Sequence, residues 1–246
     1  MNHIARAALL VITLGVLSVP TSAPAEKLDI SVDASIDALS GYVWRGFVLG
    51  ADPALVLQPS LTFGFGESGL SLNVWGSFFG MDRGTPKSLD EADELDFTID
   101  YTRAVNESVS ISLGFIEYAF PSLAAGTKHS EEVYGALAAG GPLAPSLTAY
   151  YDFGVADAMY LTAGVAPEFP LNEDGSVTLS LSGSVGAFLS NGGAGNHFGN
   201  VTVSAGVGIP AGAFTITPLA GFTYADDKVN IDNTAFWGGV SFGWSK

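Results

Sequence analysis

Apolar and polar residues alternate along about twelve segments between Leu28 and Trp244. A β-strand points successive side chains to opposite sides, so a period of two predicts strands with one apolar and one polar face. A soluble β-sandwich alternates in the same way, so the alternation alone leaves both architectures open. The clearest segment sets one face against the other as follows: Val177, Leu179, Leu181, Gly183, Val185 and Ala187 against Thr178, Ser180, Ser182 and Ser184.

The connections between these segments are alternately long and short. Bacterial transmembrane β-barrels have this parity, with long loops outside the cell and short turns in the periplasm. We therefore predict an all-β fold, an antiparallel transmembrane β-barrel of about 12 strands. Two connections, 153–157 and 168–175, fit the parity worst, so about 10 or 14 strands stay open as alternatives. The outer connections are 47–53, 80–92, 119–130, 153–157, 190–199 and 225–233, and the inner ones are 67–69, 105–106, 140–144, 168–175 and 210–212.

The start of the chain has the pattern of a cleaved secretory signal. A basic residue, Arg6, precedes an apolar run from Ala7 to Val19, and small residues end the segment before Glu26. The apolar run is too short for a good membrane-spanning helix, which makes an uncleaved anchor the weaker alternative. The predicted organisation is a signal peptide at 1–25 and an outer-membrane β-barrel at 26–246, exported to the envelope of a Gram-negative bacterium.

Charge and cysteine content exclude several classes of protein. The chain has 25 Asp and Glu against 9 Lys and Arg, a formal net charge of −16, so nucleic acid is not an expected partner. The absence of cysteine excludes disulfides and lipid attachment to an N-terminal cysteine. Only 14% of the residues are charged and 31 are glycine, which fits strands that expose a large apolar area to lipid.

The end of the chain resembles the C-terminal β-signal of bacterial outer-membrane proteins. Gly239, Phe242 and Trp244 stand at its glycine and aromatic positions, although Ser245 and Lys246 follow the expected terminus. We predict that Phe242 and Trp244 face lipid in the aromatic band at the membrane interface. The resemblance implies the barrel-assembly machinery as a partner. The final strand of a sandwich with an aromatic core face is the alternative.

Residues 39–47, with the sequence LSGYVWRGF, followed by Pro53-Ala54 and by 68–77, resemble the TorF-type porin family of proteobacterial outer-membrane proteins. A weaker resemblance is to the barrels that include the MltA-interacting protein. Many TorF-type members have Asp before the tyrosine, where this chain has Gly41. The resemblance implies an outer-membrane location and passage of solutes, with outer-membrane lipid, lipopolysaccharide and small solutes or ions as partners.

Alternation divides the first segment between lipid and lumen. It predicts Tyr42 and Trp44 on the lipid side, as membrane-interface aromatics, provided that no bulge near Ser40-Gly41 shifts the register. It predicts Arg45 on the lumen side. The other predicted pore-lining residues are acidic: Asp33, Asp37, Asp96, Asp100, Glu132 and Asp152.

Arg45 is nearly alone among these predicted lumenal carboxylates, and a buried guanidinium needs an anionic partner. An ion pair that braces the barrel and a solute-binding role are both open. Small polar residues elsewhere in the lumen predict a narrow passage that an acidic wall makes weakly cation-preferring. A structural or adhesin-like barrel with a plugged lumen and functional outer loops is the alternative, and a secreted binding sandwich is a third reading.

Catalysis, cofactors and metals are not expected. His129 has Ser130 as its direct neighbour, so in a strand the two would face opposite ways, and His197 lies in a glycine-rich loop without a serine at the spacing of barrel hydrolases. The outer loops carry clusters of Asp and Glu, such as Asp226-Asp227, but none has the spacing of a calcium loop. We expect solvated acidic rims there.

Overall fold

The computed structural model of the protein describes residues 29–49, 55–79, 81–82, 85–86, 92–122, 129–190, 195–230 and 232–246. The predicted signal peptide, 1–25, lies outside these residues and stays a prediction. Within the described ranges no helix is long and apolar enough to cross a membrane. A single turn of 3-10 helix, Gly66–Ser68, interrupts what is otherwise β structure there.

Seventeen strands make up the described structure. Most are 7 to 15 residues long, and the two-residue and three-residue ones are short accessories. In chain order the strands are β1 (Ile30–Leu39), β2 (Tyr42–Trp44), β3 (Phe47–Leu49), β4 (Val56–Phe65), β5 (Leu70–Phe79), β6 (Met81–Asp82), β7 (Thr85–Pro86), β8 (Glu94–Asn106), β9 (Val109–Ala119), β10 (His129–Ala139), β11 (Ser146–Asp152), β12 (Ala158–Val165), β13 (Glu168–Pro170), β14 (Thr178–Ser190), β15 (His197–Ala211), β16 (Phe214–Ala225) and β17 (Thr234–Ser245).

Twelve of these strands close into one antiparallel barrel. Round the barrel the order is β1, β4, β5, β8, β9, β10, β11, β12, β14, β15, β16 and β17, and β17 pairs back with β1. The short β13 continues the line of β12 along β14, since Val165 lies opposite Gly183 and Glu168 opposite Ser180. The predicted all-β barrel of about twelve strands is confirmed, and the alternatives of ten and fourteen are wrong.

Side chains alternate between the outside and the interior of the barrel, as the sequence predicts. Phe97 and Ile99 on β8 are 46% and 53% exposed, and Leu113 on β9 is 63% exposed. Exposed apolar residues of this kind recur on the barrel strands. A protein in water rarely exposes so large a contiguous apolar surface, whereas the lipid-facing band of a transmembrane barrel consists of one.

The connections divide between the two ends of the barrel because neighbouring strands are antiparallel. The connections after β4, β8, β10, β13 and β15 form one end, here called the turn end, and include two-residue turns at 107–108 and 212–213. The connections after β1, β5, β9, β11, β14 and β16 form the other end, here called the loop end. Predicted inner and outer connections therefore separate as expected.

The last strand closes the barrel against the first. Trp244 pairs with Ala34 and Phe242 with Ile36 on β1, and the alternation directs both aromatic side chains outwards. The two residues beyond Trp244 belong to the same ladder: Ser245 lies opposite Asp33, and the Lys246 amide donates to the Val32 carbonyl at 2.9 Å. The extra residues after the resembled signal thus extend the closing strand by one pairing step.

Candidate functional site

After β1 the chain turns into the barrel interior. Ser40 fixes the turning point, because its amide donates to the Gly238 carbonyl at 2.9 Å and its hydroxyl accepts the Gly238 amide at 3.0 Å. β2 and β3 then form a separate two-stranded sheet, here called the hairpin. Arg45 and Gly46 make its turn with φ values of 51° and 91°, the positive sign that a type I′ turn requires at both positions.

The hairpin contacts strands on all sides of the barrel. Tyr42 packs on Trp75 of β5, with ring centroids 5.5 Å apart. Trp44 packs on Tyr118 of β9 at 6.1 Å, and Phe47 packs on Phe188 of β14 at 5.8 Å. Contacts with β5, β9 and β14 are compatible only with a hairpin inside the ring, so the hairpin occupies the lumen near the loop end.

This placement corrects the prediction for Tyr42 and Trp44. The alternation predicts both on the lipid side, but Tyr42 is only 7% exposed and belongs to a buried cluster with Leu39 and Val56. The prediction is wrong because it extended the first strand through Ser40-Gly41, whereas β1 ends at Leu39. The aromatic residues that follow then pack against the inner wall.

Arg45 sits at the tip of the hairpin and reaches the opposite wall. Its Nη1 and Nη2 atoms each donate to one Glu132 oxygen, both at 2.7 Å. The guanidinium carbon lies 4.3 Å from the Tyr150 ring centroid and 4.7 Å from that of Tyr160, with the hairpin's own Trp44 at 4.4 Å. The side chains are nearly inaccessible, at 11% for Arg45 and 1% for Glu132, so the structure contains a buried Arg45–Glu132 ion pair. Whether this pair braces the barrel stays a prediction.

The wall around this ion pair is here called the Arg45 pocket. It consists of Glu132 on β10 with three tyrosines from the neighbouring strands: Tyr118, Tyr150 and Tyr160. The Tyr118 hydroxyl donates to Glu132 Oε1 at 2.9 Å, and the Tyr160 hydroxyl donates to Asn200 Oδ1 at 2.8 Å. These bonds link the pocket residues to other strands of the barrel wall.

All six carboxylates predicted to line the pore belong to inward positions of the strands. Asp33 and Asp37 line hollows inside the barrel, and Asp152 borders the cavities at the loop end. Asp96 lies opposite Tyr118, and Asp100 accepts the Tyr134 hydroxyl. Their part in solute passage stays a prediction. Asp37 and Asp96 each have a buried oxygen that makes no hydrogen bond within the described residues.

Two further acidic residues face the interior of the barrel, although the sequence pattern did not predict them there. Glu94 begins β8 and is 7% exposed beside Tyr42, and Glu168 on β13 accepts the Ser180 hydroxyl at 3.2 Å. Each is the first residue of its strand, and Glu168 also falls in the predicted inner connection 168–175. The inward tyrosines were also missed, although Tyr134 and Tyr150 lie two residues from Glu132 and Asp152 and therefore share their face.

A hollow of about 440 Å³ lies inside the barrel on the turn-end side of the hairpin, here called the inner chamber. A second hollow of about 490 Å³ continues it to the turn end along β1, β4 and β16. Both walls carry several small hydroxyl side chains. Polar lining residues of the inner chamber are Asp37, Gln58, Glu168, Ser180, Ser182, Ser204 and Thr217, and Tyr42, Val43 and Trp237 bound it as well.

Two smaller cavities of about 290 Å³ each lie at the loop end, on the other side of the hairpin. Both are lined by Trp44, Phe47 and Asp152. One of them also contains Lys228, from the connection between β16 and β17. The hairpin therefore separates a vestibule at the loop end from the inner chamber.

The two histidines among the described residues lie outside the inner chamber. His129 Nδ1 is 3.7 Å from Glu117 Oε1 on an exposed part of the wall, and His197 stacks on Phe188 at 5.3 Å in the loop-end vestibule.

In the connection between β16 and β17, the Lys228 amide donates to Asp226, which holds the pKa of that carboxyl below its ordinary value. Across the described residues no cluster of three or more His, Asp or Glu is arranged to hold a metal ion.

Two solved structures that resemble this chain are an outer-membrane porin and an outer-membrane channel. The KdgM porin, solved in complex with disordered oligogalacturonate, has a TM-score of 0.54 and 11% identity, covering 88% of this chain and 99% of its own. An outer membrane channel from Pseudomonas putida F1 has a TM-score of 0.50 and 10% identity, covering 93% and 100%. At such identities the likeness shows a shared barrel fold.

Sequence comparison gives the family. A search of curated proteins finds no significant match. A family profile described as a bacterial protein of unknown function, Gcw_chp, matches residues 23–245, nearly the whole chain. The narrower resemblance to TorF-type porins stays a prediction. This chain is a member of the Gcw_chp family, with a twelve-stranded barrel fold.

Proposed function

We propose that this protein is an outer-membrane channel for small solutes, with a weak preference for cations, whose passage is limited by the hairpin. The observation that carries the proposal is the unequal charge of the interior. Among the described residues of the strands and the hairpin, Arg45 is the one cation directed inwards, and Glu132 pairs with it. The inward carboxylates that remain are Asp33, Asp37, Glu94, Asp96, Asp100, Asp152 and Glu168.

An acidic wall around a hollow favours cations for a simple electrostatic reason. Carboxylates in a narrow, low-dielectric enclosure concentrate counter-ions and repel anions. Asp37 and Glu168 face the inner chamber together, across hydroxyl side chains that water can solvate. A barrel that only anchored outer loops would need neither the chamber nor its charge.

The proposed location rests on the exterior of the barrel and on the chain ends. The outward apolar side chains suit contact with outer-membrane lipid and lipopolysaccharide. The signal-like residues 1–25 suit export, and the aromatic ending at Phe242 and Trp244 suits recognition by the barrel-assembly machinery. The TorF-type resemblance of residues 39–77 fits the same location and solute passage.

Planar-bilayer recording tests the proposal. We expect purified protein in a tenfold KCl gradient to give small conductance steps with a reversal potential of the sign for cations. Replacing residues 42–49 by a flexible glycine-serine linker of equal length should raise the conductance several-fold, because the hairpin crosses the passage. Selectivity for anions, or silence of both the wild type and the linker variant, would contradict the proposal.

The hairpin also favours a second candidate, a plugged barrel whose outer loops carry the function. It packs on β5, β9 and β14 at once and buries Tyr42 and Glu132 almost fully. The same recordings separate the two candidates. A wild type that stays silent under all conditions while the linker variant conducts would support the plugged barrel.

A further inference from the structure

The Arg45 pocket belongs to the barrel wall and not to the hairpin. Its four residues come from four adjacent strands: β9, β10, β11 and β12. They keep their positions through wall contacts, because Tyr118 is bonded to Glu132 and Tyr160 to Asn200. The pocket is therefore organised by groups that do not depend on Arg45.

Close packing against glycine fixes one of the tyrosine rings. Tyr160 lies over Gly186 of β14, where a Cβ atom would overlap the tyrosine hydroxyl. Tyr160 also packs on Phe188 at 4.8 Å. These two contacts fix the orientation of the Tyr160 ring, so the face that it presents to the Arg45 guanidinium does not change.

The pocket matches a guanidinium group rather than cations in general. Glu132 accepts two parallel hydrogen bonds at 2.7 Å, the fork geometry that a planar guanidinium offers and an ammonium does not. The Arg45 guanidinium carbon lies over the Tyr150 and Tyr160 rings, within 4.7 Å of their centroids, which is a cation–π arrangement. Carboxylate and ring faces together thus select both the charge and the shape of the ligand.

The group that fills this pocket is carried by the hairpin, whose strands pair with each other and, within the described residues, with none of the barrel strands. The hairpin has three-residue strands and forms its own sheet, so it is held to the wall by side-chain packing, chiefly of its aromatic rings, and by the Arg45–Glu132 pair. It stands between the loop-end vestibule and the inner chamber, and both Trp44 and Arg45 line the vestibule. A solute that comes through the vestibule meets the occupied pocket first.

We propose that the Arg45 pocket is a binding site for a solute cation that bears a guanidinium group, with Arg45 as a tethered internal ligand. While Arg45 fills the pocket, the hairpin narrows the passage and keeps its conductance small; a free guanidinium compound that replaces Arg45 releases the hairpin and opens the passage further. The opening step rests on the proposed channel function, whereas binding to the pocket does not.

Binding is tested with argininamide as the probe and lysinamide as a control of equal charge without the guanidinium. In Arg45→Ala the pocket is vacant, and we expect argininamide to bind saturably, at least tenfold more tightly than lysinamide, and to raise the unfolding temperature in detergent. In Arg45→Ala/Glu132→Gln the preference should vanish. Equal binding of the two amides to Arg45→Ala, or equal binding of argininamide to both variants, would overturn the proposal.

Opening is tested in variants that keep the cation on the hairpin. Lys at position 45 cannot form the two parallel bonds, so argininamide should compete more easily with Arg45→Lys than with the wild type. We expect half-maximal opening in planar bilayers at an at least tenfold lower argininamide concentration in Arg45→Lys. Equal concentrations would overturn the tethered-ligand mechanism even if Arg45→Ala failed to fold.

The two levels of inference fail differently. If the wild type and Arg45→Lys both show cation-selective conductance that does not respond to argininamide, the proposed function is supported but the guanidinium site is not its gate. Absence of conductance in the wild type, in Arg45→Lys and in the linker variant would remove the channel function, while binding to Arg45→Ala would still establish the pocket.

Discussion

The two halves of the barrel interior are made by the same alternating strands, yet one half is packed and the other hollow. Near the loop end, Val56, Ser77, Glu132 and Thr223 are less than 2% exposed because the hairpin fills the space above them. Near the turn end, hydroxyl side chains line the two hollows of about 440 and 490 Å³. The eight residues of the hairpin therefore divide one lumen into a core and a chamber.

This difference sets what polar groups must do in each half. Within the core, burial makes pairing of a charged group strongly favourable, as for Glu132 with Arg45 and Tyr118. In the chamber, hydroxyl side chains bond to one another along the wall, as Ser182 does with Ser204 at 2.7 Å, and can also bond to water. Equivalent substitutions should consequently have unequal effects in the two halves.

The largest expected effect comes from removing a carboxylate charge in the core. Glu132→Gln leaves the Arg45 guanidinium buried without its counter-charge, which should lower the free energy of unfolding by about 3–5 kcal/mol. Glu168→Gln, at an exposed position of the turn-end half, should change it by less than about 0.5 kcal/mol. The measurement is denaturant unfolding in detergent, monitored by the shift between the folded and the unfolded band on a gel.

Glu168→Gln serves as the matched control, because it removes the same charge from the same interior. The contrast between core and chamber would be broken if the two variants lost equal stability. A large loss in both would mean that the chamber is as tightly packed as the core.

The next effect separates backbone strain from crowding at two glycines. Gly46 in the hairpin has φ 91°, and a Cβ there would lie 2.9 Å from Asn200 Cβ and 3.0 Å from Ala225 Cβ. Gly212, in a turn at the turn end, has φ 68° with nothing within 4 Å. Gly212→Ala should destabilise by about 1 kcal/mol, from the positive φ alone. Gly46→Ala adds overpacking and should reach about 2–4 kcal/mol.

Thermal unfolding of the two glycine variants side by side gives this difference directly. Equal losses would mean that the hairpin tip is loosely held against β15 and β16. Gly46→Ala should in that case also leave conductance unchanged, whereas a tightly packed tip predicts that its displacement raises conductance.

The wall of the barrel was predictable because period two assigns each residue to a face. The alternation correctly predicted that Phe97, Ile99 and Leu113 point outwards. It also predicted that Asp96 and Asp100 point inwards, because each strand forms the full thickness of the wall and its neighbours fix its register. Glu94 and Glu168 were missed because they stand at strand ends. At these positions pairing, and not pattern, decides whether a residue belongs to the wall.

The hairpin was not predictable from the same signal. Tyr42 and Trp44 continue the alternation of β1, and a strand lying inside the lumen has the same period as one in the wall. Strand length could have indicated the hairpin. The ten residues Ile30–Leu39 already suffice to cross a bilayer as a tilted strand, so residues 42–49 are not needed to span the membrane. The turn was also hidden, because Arg45-Gly46 has arginine where type I′ turns usually have Asn or Asp.

The smallest expected effect on stability, with a measurable effect on selectivity, comes from Asp37 in the inner chamber. Asp37→Asn removes one wall charge, and a loss of about 0.5–1 kcal/mol of attraction for a passing cation would reduce the cation-to-anion permeability ratio about two- to five-fold. The free energy of unfolding should change by less than about 0.5 kcal/mol. Reversal potentials at about 0.1 M KCl, where screening acts over about 10 Å, provide the measurement.

Asp174→Asn is the matched control for Asp37→Asn. Asp174 lies in the exposed connection between β13 and β14, where it accepts the Ser176 amide at 2.9 Å, and its removal changes the net charge equally. Because it lies in a connection and not on the inner wall, it should leave the permeability ratio unchanged. If both variants shift the ratio alike, selectivity comes from the overall charge of the protein; if only Asp37→Asn does, the chamber wall carries the selectivity.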